Sequence, residues 1–349
     1  MSRIIYGLSG QGFGHSARGH EVLTHLKKKG HELLVLTYAQ ALAVMKPDFP
    51  TLEIPGLGLN YQNNKVDYLR TFYDNAAMLV RSGTSWPSLL RKIKRFKADL
   101  VISDYEPLSA AFAHLENLPL ISFDNQHQMT NTKISVPPKY RRDFIAAKLV
   151  TRSFVWRADH YLITTFFPTP ANKPETFLFP PVVRRQVTRL KPSVKDYILV
   201  YQNSDFDYIL PQLKKLAPQK FIVFSSRPEE IRDGNLLLKH HDPEAFLRYL
   251  KDCRAIIATA GLSLISEAIH LDKPYFALPV AKQVEQTINA IYIKKLGFGD
   301  WAETFSPTRG KKFLQNLEKY RRALKKNPKE GTAALFKKLD SIIASHSSD

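Results

Sequence analysis

Glycines and histidines crowd the stretch "LSGQGFGHSARGH" (8–20), which follows the apolar run Ile4-Ile5-Tyr6. Glycines placed after a strand let backbone N–H groups approach a bound group, and the N-terminus of the next helix favours negative charge. Gly12, Gly14 and Ala17 satisfy the G-x-G-x-x-A spacing of a dinucleotide clasp. That clasp also wants an acid at the end of the second strand to hold a ribose, and "VLTYAQAL" offers none there. His15 supports a different chemistry. In the first helical turn the dipole disfavours imidazolium, and a neutral histidine is a competent general base. Such a base needs an orienting carboxylate on a neighbouring strand end. Asp104, closing "ADLVISD", is the candidate, with Glu106 two residues on. His20 and His25 lie further along the helix and read as packing or surface residues.

A second constellation is "ATAGLSLISEAIHLDKPYFALPVAKQVEQTINAIYIKKLGFG", residues 258–299. Gly261 falls between a strand and a helix and repeats the anion-binding arrangement. Glu267 lies one turn into that helix, where a carboxylate can accept both hydroxyls of a ribose. Glu285 and Gln286 begin the next helix and can hydrogen-bond to hydroxyls.

On these residues the sequence resembles the nucleotide-sugar glycosyltransferases of the GT-B fold, in particular the MurG-like and UDP-glucuronosyl/UDP-glucosyl groups. The resemblance covers nearly the whole chain and is carried by the glycine loop with His15, by "ADLVISD" and by the 258–299 block. It implies that Gly261 and Ser263 border the donor diphosphate, that Glu267 holds the ribose, and that Glu285 and Gln286 touch the transferred sugar. It also implies that His15 deprotonates the acceptor hydroxyl with help from Asp104, inverting the anomeric centre in a single displacement. Many relatives have histidine where this chain has Thr259, and Asn-Thr or Asn-Ser where it has Ser263-Leu264. Backbone amides and a basic side chain must then serve the diphosphate. The loop "YQNSDFDYIL" (201–210) is not glycine-rich, although Asn203 and Ser204 can donate hydrogen bonds there. Asp205 and Asp207 look like the metal-binding D-x-D of the other glycosyltransferase fold. Without a metal they would repel a diphosphate, so they read as helix-start residues. The expectation is a UDP-sugar as substrate, no cofactor and no metal. Two rival readings share the donor. A UDP-N-acetylhexosamine 2-epimerase-like enzyme would need additional cleft acids, and a non-catalytic sugar-nucleotide binding protein would need no base.

The elements that must position these residues alternate regularly. "RIIYGLS", "HELLVLTY", "ADLVISD", "LPLISFDNQ" and "HYLITTFF" read as strands separated by amphipathic helices, the signature of parallel βα units. After a proline-rich stretch the pattern restarts with "DYILVYQ", "FIVFSS", "AIIATAG" and "PYFALPV". The fold class expected is α/β, of GT-B type, with two Rossmann-like doubly wound domains facing each other across a cleft. The expected boundaries are 1–167 for the acceptor-side domain, 168–195 for a linker and 196–325 for the donor domain. A C-terminal helix, 326–349, is expected to pack back through Leu335, Phe336, Leu339, Ile342 and Ile343.

Across 349 residues the chain has 51 Lys plus Arg against 32 acids, a formal +19. Nucleic acid, an anionic membrane surface or a phosphorylated small molecule would each suit that charge. No recognisable nucleic-acid module accompanies it, so nucleic acid is not expected as a partner. "SWPSLLRKIKRFK" and residues 137–157 interleave apolar and basic side chains, which suits an anionic membrane surface or a lipid-linked acceptor as well as an ordinary core-facing helix. "RGKKFLQNLEKYRRALKKNPK" reads as a solvated helix face. One cysteine, Cys253, and no membrane-length apolar run fit a cytoplasmic protein, with a peripheral position on the inner membrane face left open.

Overall fold

The structure, a computed structural model, describes residues 1–10, 13–56, 61–62, 65–66, 86–201, 208–225, 229–329 and 331–346. Two compact units divide the chain: Met1–Gln62, Val66–Val182 and Gly331–Asp349 form the first, and Asn63–Lys65 with Val183–Glu330 the second.

In the first unit the sheet is parallel throughout. Its strands are β1 (Arg3–Leu8), β2 (Glu32–Thr37), β3 (Thr51–Glu53), β6 (Leu100–Asp104), β7 (Leu120–Asp124), β8 (His160–Thr164) and β9 (Thr176–Phe179). They lie in the order β3-β2-β1-β6-β7-β8-β9. The short β4 (Tyr61–Gln62) and β5 (Lys65–Val66) pair separately. Parallel strands covered on both faces read as continuous apolar runs, and alternate side chains then go to opposite cores. Ile4, Tyr6 and Leu8 pack with Val22 and Leu26 of α1 (Phe13–Lys28), whereas Ile5 packs with Ile93 of α3 (Trp86–Arg95) and Phe112 of α4 (Pro107–Leu115). Between α1 and α3 lies α2 (Ala39–Met45).

The last helix of the chain, α14 (Ala333–His346), belongs to this unit. Leu335, Leu339, Ile342 and Ile343 enter the same core as β1. His25 stacks on Phe336 with ring centroids 4.1 Å apart and places Nε2 2.7 Å from Asp340. The proline-rich stretch expected as a linker contains β9, the edge strand beside β8, so prolines flank a strand there.

The second unit's sheet has the order β12-β13-β11-β10-β14-β15-β16. Those strands are β10 (Ile198–Tyr201), β11 (Phe221–Ser225), β12 (Ile231–Asp233), β13 (Leu236–His240), β14 (Ala255–Ala258), β15 (Tyr275–Ala277) and β16 (Gly299–Trp301), and β12 alone runs antiparallel to its neighbour. The basic tail forms α12 (Pro307–Gln315) and α13 (Leu317–Lys326), whose Lys and Arg lie mostly on the exposed side, as expected, while Phe313, Leu317, Tyr320 and Leu324 are buried beneath them. Spacings of three and four residues put Leu317, Tyr320 and Leu324 on one stripe of α13, which the surrounding Lys and Arg conceal in the composition.

The parallel strands of both sheets reverse their order once, next to the first strand of the unit. In the first unit the reversal lies between β1 and β6, where Leu8 is in register with Asp104. In the second it lies between β10 and β14, where Tyr201 is in register with Ala258. Ligands of open α/β sheets bind beyond the carboxyl ends of strands at such switch points.

Candidate functional site

The register of β1 with β6 explains how residues 89 positions apart come together. His15 sits in the first turn of α1 with Nδ1 2.7 Å from Asp104 Oδ1. Asp104 is fully buried and the His15 side chain is 16% exposed, so one partner is fixed while the other reaches the surface. An Nδ1–H donated to the carboxylate leaves the Nε2 lone pair as the basic site. Ser9 N donates to Asp104 O at 3.1 Å and ties the loop to the strand end. Tyr105, immediately after Asp104, adopts φ +54°, a left-handed conformation costing about 1 kcal/mol that turns the chain sharply. Its ring stacks against His15 (centroids 6.4 Å apart, 17° between planes) and packs on Phe154.

A third residue joins this pair. Arg18, one turn further along α1 and buried, donates from Nε to Asp104 Oδ2 at 3.0 Å and from Nη2 to Asp104 Oδ1. Burial alone would lower the pKa of the guanidinium, but the charge and hydrogen bonds of Asp104 reverse this and raise it.

Glu106, the alternative partner for His15, is engaged elsewhere. It caps α4, with Oε1 accepting from Leu108 N at 2.9 Å and Oε2 from Ser109 N at 2.6 Å. Burial raises its pKa from 4.5 to about 7, with the two N–H donors only partly offsetting. Because the folded-state value is raised, the native protein holds an extra proton between these pH values. Stability from this group, about 3 kcal/mol, is complete below pH 4.5 and lost as pH rises through 7. Urea unfolding between about pH 5 and pH 8 should therefore show a shallower pH slope for Glu106→Gln than for the parent, and equal slopes would refute it.

In the second unit, α10 (Leu262–His270) starts at the switch point. Its N-cap, Gly261, has φ −70° and supplies no side-chain cap, so the first-turn N–H groups are available to an anion. Among the described residues, leaving out its chain neighbours, no heavy atom lies within 4 Å of where a Gly261 Cβ would stand. Neither backbone conformation nor packing against the described residues requires glycine here. The loop before it is braced: Gln286 Oε1 accepts from Ala260 N and Val280 N, both at 3.1 Å, and Asn289 Nδ2 donates to Ala260 O at 3.0 Å. Glu267 is buried, and Arg184 grips it with a fork, Nε to Oε1 at 2.6 Å and Nη2 to Oε2 at 2.9 Å.

A sequence model described as glycosyl transferase family 1 matches residues 2–318. The chain belongs to this family. A protein of Methanosarcina acetivorans called an uncharacterized glycosyltransferase is 24% identical over 336 residues, covering 85% of this chain and 84% of its own. Among solved structures, LpCGTa in complex with UDP matches with a TM-score of 0.68 at 14% identity, over 100% of both chains. Spinosyn rhamnosyltransferase SpnG complexed with thymidine diphosphate matches with a TM-score of 0.65, also at 14% identity, over 97% of this chain and 100% of the other. Two parallel-dominated α/β sheets flanked by helices are thus the GT-B architecture expected from the sequence.

In this glycosyltransferase His15 and Asp104 meet directly, while Gly14 is the second residue of α1. Gly261, Ser263 and Glu267 lie together at the start of α10. Gly12, Asn203, Ser204, Asp205 and Asp207 lie outside the described residues. Glu285 is half-buried in the first turn of α11 (Val284–Lys295). Gln286 also braces the glycine loop: its carboxamide oxygen accepts from two backbone N–H groups, and Asn289 of the same E-Q-x-x-N-A pattern holds Ala260 O. Sequence reasoning missed Arg18 and Arg184. Arg18 could have been found from its three-residue spacing after His15; Arg184 carries no local signal among the many basic residues.

Proposed function

We propose that the protein is an inverting, metal-independent glycosyltransferase that transfers a sugar from a UDP-sugar to an acceptor hydroxyl. The observation that carries this reading is the His15–Asp104 pair at the switch point of the first sheet, with Nε2 left as a base. The acceptor O–H gives its proton to Nε2, its oxygen forms the new bond to the anomeric carbon, and the bond to the diphosphate breaks with its electron pair. The leaving diphosphate is stabilised by the first-turn amides of α10, with Ser263 beside them, in place of a metal. Glu267 receives the ribose hydroxyls, and Arg184 is the basic side chain that the departures at Thr259 and Ser263-Leu264 call for. The UDP and thymidine diphosphate bound by LpCGTa and SpnG support a pyrimidine nucleoside diphosphate as the donor's handle.

The acceptor reading rests on α6 (Arg141–Phe154) and the residues after it. Ile145, Leu149 and Trp156 are exposed large apolar side chains among the exposed Arg141, Arg142, Arg152 and Arg157. This mixture suits a lipid-linked or anionic acceptor presented at a membrane surface. No helix among the described residues is long and apolar enough to cross a membrane.

A thermal-shift series with UDP, thymidine diphosphate, GDP and UDP-sugars, without divalent metal and then with magnesium, tests the donor half. A metal-independent rise in Tm with UDP or UDP-sugars is expected. Gly261→Ala is the informative control. With no described residue crowding the new methyl, its unliganded Tm should match the parent, while its affinity for UDP falls about tenfold or more through steric loss at the diphosphate. A parent protein that shifts with no nucleotide would overturn the proposal. A Gly261→Ala variant that binds UDP as well as the parent would remove the diphosphate from α10.

A further inference from the structure

Arg18 is placed to control the base, a role that deepens the reading of His15 given above. Asp104 receives four contacts: Oδ1 faces His15 Nδ1 and Arg18 Nη2, and Oδ2 faces Arg18 Nε and the Tyr6 hydroxyl at 3.4 Å. The guanidinium also reaches Asn125 Oδ1 and Thr164 Oγ1, each at 3.5 Å, and lies 5.3 Å from the centre of the Phe123 ring. It is thus held from β6, the end of β7 and β8.

The charges around His15 can be counted from each element. Asp104 faces it from the end of β6, Arg18 from its own helix, and the neutral Tyr105 ring from the following turn. Tyr6, on β1, acts only through Asp104, and burial followed by that carboxylate raises its pKa well above 10. Asp124, on β7, is the next acid inward and has its own partner. His127 Nδ1 lies 2.7 Å from Asp124 Oδ2 and His127 N donates to Oδ1 at 2.8 Å. Burial pushes Asp124 up, but His127 brings it below the ordinary carboxylate range. The charge of Arg18 is therefore matched to Asp104, not to Asp124.

A lone buried carboxylate beside an imidazole stabilises the imidazolium strongly, and an imidazolium has no lone pair with which to accept a proton. Here Arg18 Nη2 lies 3.2 Å from His15 Nδ1, the atom that also faces Asp104. With Nδ1–H directed at the carboxylate, this nearby cation makes no hydrogen bond to the ring and opposes a second proton on it. We propose that Arg18 is a positioning residue for the transfer reaction: it balances the charge of Asp104, so that the carboxylate orients His15 without converting it to imidazolium. Asp104 supplies direction, and the charge of Arg18 opposes its field at the ring.

Titrating His15 by imidazole NMR in the ligand-free protein tests this without relying on turnover, so failure of the activity assignment and failure of this proposal remain distinguishable. Arg18→Met should move the His15 midpoint upward by about one pH unit or more, Arg18→Lys should move it less, and Asp104→Asn should move it down. In nucleotide-sugar turnover, the acid limb of the pH–rate profile should follow the same upward shift in Arg18→Met, and Arg18→Lys should recover part of the rate near pH 7. Should Arg18→Met fail to fold around an uncompensated Asp104, the double variant Arg18→Met with Asp104→Asn carries neither charge. Its His15 midpoint should lie above that of Asp104→Asn alone. A midpoint unmoved by removing Arg18, in the single variant or in the double against Asp104→Asn, overturns the proposal.

Discussion

Replacing His15 with alanine is expected to lower turnover by a factor of about 10² to 10⁴, the usual contribution of a positioned general base. Donor affinity should change little, since the nucleoside diphosphate is proposed to sit on residues 261–267 of the second unit. The fold should also tolerate the change. His15 is partly exposed, and its loss leaves Asp104 still held by Arg18 and Tyr6. Asp104→Asn is a different perturbation, because it strands the buried Arg18 charge and should cost stability as well as rate. Release of nucleoside diphosphate from the UDP-sugar that gives the largest thermal shift, with water or an added alcohol as acceptor, reads both variants. A His15→Ala protein within tenfold of the parent rate, with unchanged donor binding, would mean that another group removes the proton.

The pairing of His15 with Asp104 was legible because it depends on two features that short motifs carry: a strand end and the type of residue there. The topology supplied the rest, since a reversal of strand order between β1 and β6 makes those ends neighbours. The bracing role of Gln286 was not legible for a related reason. A glutamine at the start of a helix looks available to a ligand, and only the fold shows Ala260 N and Val280 N already using its oxygen. Strands β12, β13 and β16 escaped the sequence reading. "IRD" and "GDW" are three residues long and carry charges, and "LLLKH" sits beside a turn instead of following a helix. Periodicity needs several residues to declare itself, so edge strands of this length are written mainly in their neighbours. Buried cations are harder still. Arg18 and Arg184 belong to an abundant residue type, and what distinguishes them is the carboxylate each meets 86 and 83 residues away.

The second large effect is expected at Glu267. Both its oxygens are held by Arg184, with the carboxylate buried and the guanidinium side chain 27% exposed. A fork occupies one lone pair on each oxygen, and the remaining pairs can accept two ribose hydroxyls without breaking it. Glu267→Ala therefore removes two hydrogen bonds to a charged acceptor and releases Arg184, and should weaken UDP binding about 100-fold or more. Calorimetric titration with UDP and with uridine separates the parts of this loss. Glu267→Ala should weaken both ligands to a similar degree, because both carry the ribose. Arg184→Met should weaken UDP more than uridine if the guanidinium also meets the diphosphate, and both equally if it only holds Glu267 in place. That variant leaves a buried carboxylate unpaired beside a half-open face, so its stability should fall by about 2 kcal/mol, less than for a fully enclosed pair because solvent reaches the arginine side. Equal UDP affinity in Glu267→Ala and the parent would remove the ribose from α10 altogether, since no other carboxylate lies in the Gly261–His270 segment.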